Sequence, residues 1–175
     1  AASAIPLGGL GTGFVEFGSD ATFGAAVTEN TWLEPEPVPP KCGLTISAGD
    51  RTLDLFPGAV PADTPLRFWG HYPAADVDFG GAFGDTAVYL RAFAPVIPHD
   101  YAASGLPVVF LRFALENRGA VESPVELALQ WQANPKLGAE ASGNVECALG
   151  WNRETLQPGQ TWTICPVLVF ARGRD

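Results

Sequence analysis

The sequence predicts an all-β domain, an antiparallel β-sandwich of two packed sheets built from about nine or ten strands. Twenty Gly and 16 Pro punctuate 175 residues that include no Met and only 2 Lys, an inventory rich in turns and poor in helix-building residues. Apolar and polar residues alternate over short segments, the period of a half-buried strand. Turn signals recur at short spacing, and no segment sustains a helical period. The chain is 47% hydrophobic and 17% charged, so it has enough apolar surface to offset its ordering entropy. One sandwich domain over residues 1–175 is the expectation.

The chain opens on the glycine cluster Gly8-Gly9-Leu10-Gly11-Thr12-Gly13, then alternates through Phe14, Val15, Glu16 and Phe17 to a turn at Gly18-Ser19-Asp20. A second strand follows over 22–27. The proline-rich run 34–40 is a stiff extended connector, because each Pro lacks a donor and restricts the residue before it. Segments 42–48 and 52–56 flank Gly49-Asp50-Arg51 and read as a hairpin. A strand over 66–72 carries Phe68, Trp69 and Tyr72, and 76–85, polar and Gly-rich, reads as a surface loop.

In 86–94, Val88, Leu90 and Ala92 alternate with Tyr89, Arg91 and Phe93, and a turn-rich crossing occupies 95–107. In 108–116, Val109, Leu111, Phe113 and Leu115 form one face while Arg112 and Glu116 mark the other. The next strand alternates Val125, Leu127, Leu129 and Trp131 with Glu126, Gln130 and Gln132, and is expected to pair with 108–116 across the 117–124 connection. Residues 132–143 read as loop and 145–151 as a short strand. After a turn at 156–159, the last strand spans 161–170, with Val167 and Val169 suggesting that its later part is covered on both faces.

Ten basic against 19 acidic residues give a net charge of -9, and the average field repels nucleic acid. No apolar run approaches the roughly 18 to 20 residues needed to span a bilayer, and Ala1-Ala2-Ser3-Ala4 lacks the features of a signal peptide. A soluble acidic domain is expected, either cytoplasmic or exported with its signal already removed. Cys42, Cys147 and Cys165 match neither a disulfide framework nor zinc spacing and read as buried thiols, with one disulfide and a spare as the alternative.

The glycine cluster lacks the Lys and Ser/Thr of a phosphate loop, so its glycines read as structural, letting a strand bend or approach another backbone. His71 and His99 have no second ligand at metal spacing, and no metal or cofactor is implied. His99-Asp100 is a general-base candidate on type alone, but it lies in a turn, where Asp bonds to backbone amides. Glycoside chemistry needs two carboxyl groups, and no pair can be named from the strands. Trp131 and Trp162 sit on apolar faces and read as core, whereas Trp32, Trp69 and the adjacent His71 are candidates for contact with a sugar ring.

Two segments go further. Ile5 through Gly13, with Val15-Glu16 and the run Gly18-Ser19-Asp20-Ala21-Thr22-Phe23-Gly24, resembles the opening of the N-terminal domain of glycoside hydrolase family 116, a family of glucosylceramidases and β-glucosidases. The run Tyr89-Leu90-Arg91-Ala92-Phe93-Ala94-Pro95-Val96-Ile97-Pro98-His99-Asp100-Tyr101, with Ser104-Gly105-Leu106-Pro107-Val108, resembles the same domain's strand, turn and strand entry. The resemblance implies a β-sandwich preceding a separate (α/α)6 catalytic domain that carries the nucleophilic Glu and the acid/base Asp of a retaining β-glucosidase. No residue of this chain matches those two. The matched positions Gly8, Gly9, Gly11, Gly13, Pro98, Asp100 and Pro107 are implied as structural only. After Trp131 a typical member carries a long insertion, whereas here Leu156-Gln157-Pro158-Gly159 follows a short loop.

The leading expectation is a noncatalytic N-terminal module whose partner is a catalytic domain of the same polypeptide or of another subunit. The competing expectation is a free-standing sandwich that binds carbohydrate or self-associates through its sheet edges.

Overall fold

The computed structural model describes residues 3–28, 35–132 and 146–169, with side chains in the last stretch from Glu154 onward. The first elements are β1 (Ala4–Leu7), β2 (Gly13–Gly18), β3 (Phe23–Thr28) and β4 (Glu36–Pro37), which form an antiparallel N-terminal sheet in chain order. Of the prolines of the expected connector, Pro37 falls on its edge, facing Ala25, where a missing donor breaks no interior ladder.

A back sheet has the order β12-β11-β5-β6, from β5 (Gly43–Ala48), β6 (Arg51–Leu55), β11 (Ser123–Gln132) and β12 (Glu146–Leu156). The hairpin expected around Gly49 is β5–β6. It closes on the two-residue turn Gly49-Asp50 between paired Ala48 and Arg51, with Gly49 at a φ of 62°.

A front sheet has the order β13-β10-β9-β8-β7. Its strands are β7 (Arg67–His71), β8 (Ala74–Asp78), β9 (Thr86–Phe93), β10 (Val108–Asn117) and β13 (Thr161–Ile164), with β14 (Val167–Val169) also on β10. One four-residue helix, α1 (Tyr101–Ser104), interrupts the crossing between β9 and β10.

Inward residues of all three sheets belong to one hydrophobic core. Leu44, Ile46, Val125 and Leu127 enter it from the back, and Val88, Leu90, Leu111 and Phe113 from the front. Phe17 and Phe23 bring in the N-terminal sheet, and Phe23 meets Trp131 edge to face at 5.4 Å. Trp131 and Trp162 pack against the core, as their strand faces predict.

The all-β sandwich stands, with three differences in how it is assembled. Fourteen strands are found among the described residues, and the N-terminal hairpin region with β4 makes a third, smaller sheet. Strands β10 and β11 do not pair; they lie in different sheets. Both have one buried face, and alternation says which face is buried without saying which sheet receives it. Asn117 fixes the crossing: only 1% exposed, it donates from Nδ2 to the Val121 and Leu156 carbonyls (2.7 and 2.8 Å), while its Oδ1 accepts the Gly119 N–H.

The expected loop over 76–85 begins as strand. Ala75 and Val77 are buried while Asp76 and Asp78 face outward, so two aspartates conceal a period-2 element. The remaining turn is anchored by buried Phe79 and Phe83, in edge contact at 6.0 Å.

The final strand is split at Cys165-Pro166, although β13 and β14 keep one register on β10. The Pro166 carbonyl still accepts the Leu111 N–H (2.9 Å). Val167 and Val169 are exposed, so this strand is covered on one face only. Cys42 is buried, donating Sγ to the Gln132 carbonyl and accepting the Gln132 N–H, and burial pushes its thiol pKa up. Cys165 is exposed, unlike the buried thiol expected, because it lies in the break between β13 and β14 at the edge of the front sheet. The side chain of Cys147 lies outside the described residues.

Candidate functional site

Two regions gather the residues singled out in the sequence. The first is one end of the sandwich, where the Gly8–Thr12 turn between β1 and β2 meets the crossing between β9 and β10. The Leu10 N–H donates to the Ser104 carbonyl at 2.7 Å. A Cβ on Gly9 would collide with the carbonyl oxygens of Gly105 and Leu106, so this approach requires glycine. Gly8 is closed off in the same way by the Gly13 backbone; Gly11 has a φ of 77° and Gly13 begins β2.

The crossing is held by its own hydrogen bonds. Ser104 Oγ is bonded to both the N–H and the carbonyl of Ile97, at 2.8 and 3.1 Å. Asp100 Oδ1 accepts the Ala103 N–H (2.9 Å) and caps α1, which occupies it as an N-cap. His99, at a φ of 67°, shows no hydrogen bond to Asp100 among the described residues. Pro98 precedes His99 in this turn, and Pro107 leads directly into β10. Leu10, Ile97, Tyr101 and Leu106 all remain exposed on this frame, Tyr101 by 82%.

The second region is an open groove of about 420 Å³ on the outward face of the front sheet. Register places its side chains in cross-strand rows. Trp69 on β7 faces Asp76 on β8, Asp76 faces Arg91 on β9, and Arg91 faces Arg112 on β10. One row further, Asp78, Tyr89 and Ala114 align in the same manner, while Arg67, opposite Asp78 at the start of β7, stands outside the groove lining. Trp69 is 52% exposed and Tyr89 38%.

Asp76 is the polar centre of the groove. It accepts Nε and Nη2 of Arg91 at 2.6 and 2.9 Å and bonds Nε2 of His71 at 2.8 Å. The Arg91 guanidinium holds the Asp76 carboxyl below the usual carboxylate range, partly opposed by burial and assisted by His71. Asp76 in turn raises the pKa of Arg91. Tyr89 is oriented by Arg118, whose Nη2 donates to its hydroxyl (3.2 Å) and whose guanidinium lies 5.9 Å from the ring centroid.

Of the sugar-contact candidates, Trp69 and His71 therefore share a strand and a face, with His71 joined to Asp76 at the margin of the groove. Trp32 lies outside the described residues. Sequence alone does not mark Asp76, Tyr89, Arg91 and Arg112 as a site. Their alternation was visible, but the strand order that sets them side by side was not.

Among the described residues, no group of three or more His, Cys, Asp or Glu could hold a metal ion, and no helix is long and apolar enough to cross a membrane. No curated protein sequence matches the chain. A family model described as beta-glucosidase 2, glycosyl-hydrolase family 116 N-term, matches residues 29–163, more than half of the chain. That match contains one of the two segments that carry the resemblance, 89–108, and begins after the other, the glycine-rich opening over 5–24. The chain thus belongs to the family of N-terminal domains of family 116 glycosyl hydrolases.

Proposed function

We propose that the chain is the noncatalytic N-terminal module of a β-glucosidase- or glucosylceramidase-like glycoside hydrolase. Its role is to support a catalytic domain, carried on the same polypeptide or on another subunit, that seats against the Leu10–Tyr101 end. The observation that carries this reading is the hydrogen-bonded loop pair itself, which holds Leu10, Ile97, Tyr101 and Leu106 outward on a fixed frame. Apolar side chains presented in that way lose little further freedom when a partner covers them.

The acidic groups of the groove support a noncatalytic role. Glycoside hydrolysis requires a carboxyl group with a raised pKa as general acid beside a second carboxylate. Asp76 is shifted in the opposite direction and is bonded to Arg91 and His71, while Asp78 accepts the Gly80 N–H.

The test is hydrolysis of para-nitrophenyl β-glucoside by the 175-residue chain alone. No release above a buffer blank is expected. Turnover that follows the protein through purification would overturn the division of labour.

A further inference from the structure

The groove on the front sheet is not needed for the docking role, since it lies across the middle of the strands rather than at the loop end. On this outward sheet face a half-exposed indole and a tyrosine stand among four charged groups. Arg91 and Arg112 balance Asp76 and Asp78 there, in a molecule whose net charge is -9. A locally balanced groove gives no net attraction to an anion or a cation. It does offer an apolar ring face beside fixed donors and acceptors.

We propose that this groove binds a neutral saccharide. A pyranose ring presents an apolar C–H face, which suits the exposed indole of Trp69, and a rim of hydroxyl groups that both donate and accept. Asp76 and Arg91 are held in place by their mutual bonds, so their remaining hydrogen-bonding capacity is directed before a ligand arrives. Arg112 makes no ion pair among the described residues and supplies the free donor of the row. The groove runs across the strands from β7 to β10, about 14 Å at ordinary strand spacing.

The experiment is isothermal titration of the 175-residue chain with cellotetraose, maltotetraose and mannotetraose, using tetragalacturonate as the acidic counterpart. Saturable heat with at least one neutral tetrasaccharide is expected. Trp69→Ala should weaken that binding on the order of tenfold or more, and Arg112→Ala by about threefold or more, with unchanged circular dichroism. Both side chains are exposed, so neither substitution removes core packing. Three results overturn the proposal: no heat with any of the three neutral sugars, unchanged binding in Trp69→Ala, or tighter binding of tetragalacturonate than of every neutral sugar. None of these bears on the loop end, which shares no residue with the groove.

Discussion

The two ends of the sandwich use the same kind of material, loops between strands, for opposite purposes. At the Asn117 end the loops are stitched across the sheets. Asn117 ties the front sheet to the Leu156 carbonyl of the back sheet, Thr86 and Ser123 share a buried 2.9 Å hydroxyl bond, and Arg51 donates to the Gly81 carbonyl. At the Leu10–Tyr101 end, hydrogen bonds join the loops to one another and leave the apolar side chains outside. The difference separates a closure that holds the fold together from the surface we propose for docking.

The largest effect should come from breaking the stitched end. Asn117→Ala removes two side-chain donors and one acceptor, taking a partner from the buried Leu156 carbonyl and from the part-buried Val121 carbonyl, and is expected to cost about 2–4 kcal/mol in urea unfolding. A loss below about 1 kcal/mol would mean that this end does not hold the sheets together. Gly9→Ala attacks the other end by forcing a Cβ against the Gly105 and Leu106 backbone. About 1–3 kcal/mol of destabilisation is expected, read from thermal or urea unfolding.

A smaller effect is expected on the sheet face between the ends. Asp76 is depressed in the folded state, so its contribution is present above the unfolded aspartate value near about 3.9 and is lost as pH falls through the lower folded value. With Arg91 half exposed, the contribution is limited to about 0.2–1 kcal/mol. Asp76→Asn should therefore flatten part of the acid limb of stability, measured by urea midpoints from about pH 5 to about pH 3. An acid limb of equal steepness in both proteins would count against the pair.

The smallest effect on stability sharpens the comparison most. Tyr101→Ser and Leu106→Asp alter exposed side chains and should leave the isolated chain within about 0.5 kcal/mol of its parent in the same unfolding assay. A large loss would make these residues part of the fold rather than of a docking surface.

Much of this architecture is legible in the residues, because period-2 alternation and glycine turns are local signals. Val109, Leu111, Phe113 and Leu115 announce one buried face, and the Gly49 turn announces its hairpin. Strand partnership is not local. Nothing in 108–116 or 125–132 says that the chain changes sheets between them, since the decisive bonds reach from Asn117 to Leu156. The groove was half legible for the same reason. Trp69 and His71 stand out by type, whereas Asp76 reads as loop and Arg91 and Arg112 as ordinary outward residues, and only register places the three in one row.

The most direct test of the central claim is sedimentation velocity of the 175-residue chain mixed with a separately expressed family 116 catalytic domain. The account predicts a complex with the unmodified chain and its loss with Leu106→Asp, in which the fold is expected to be kept. Failure of the unmodified chain to associate, or association that Leu106→Asp leaves intact, would contradict it.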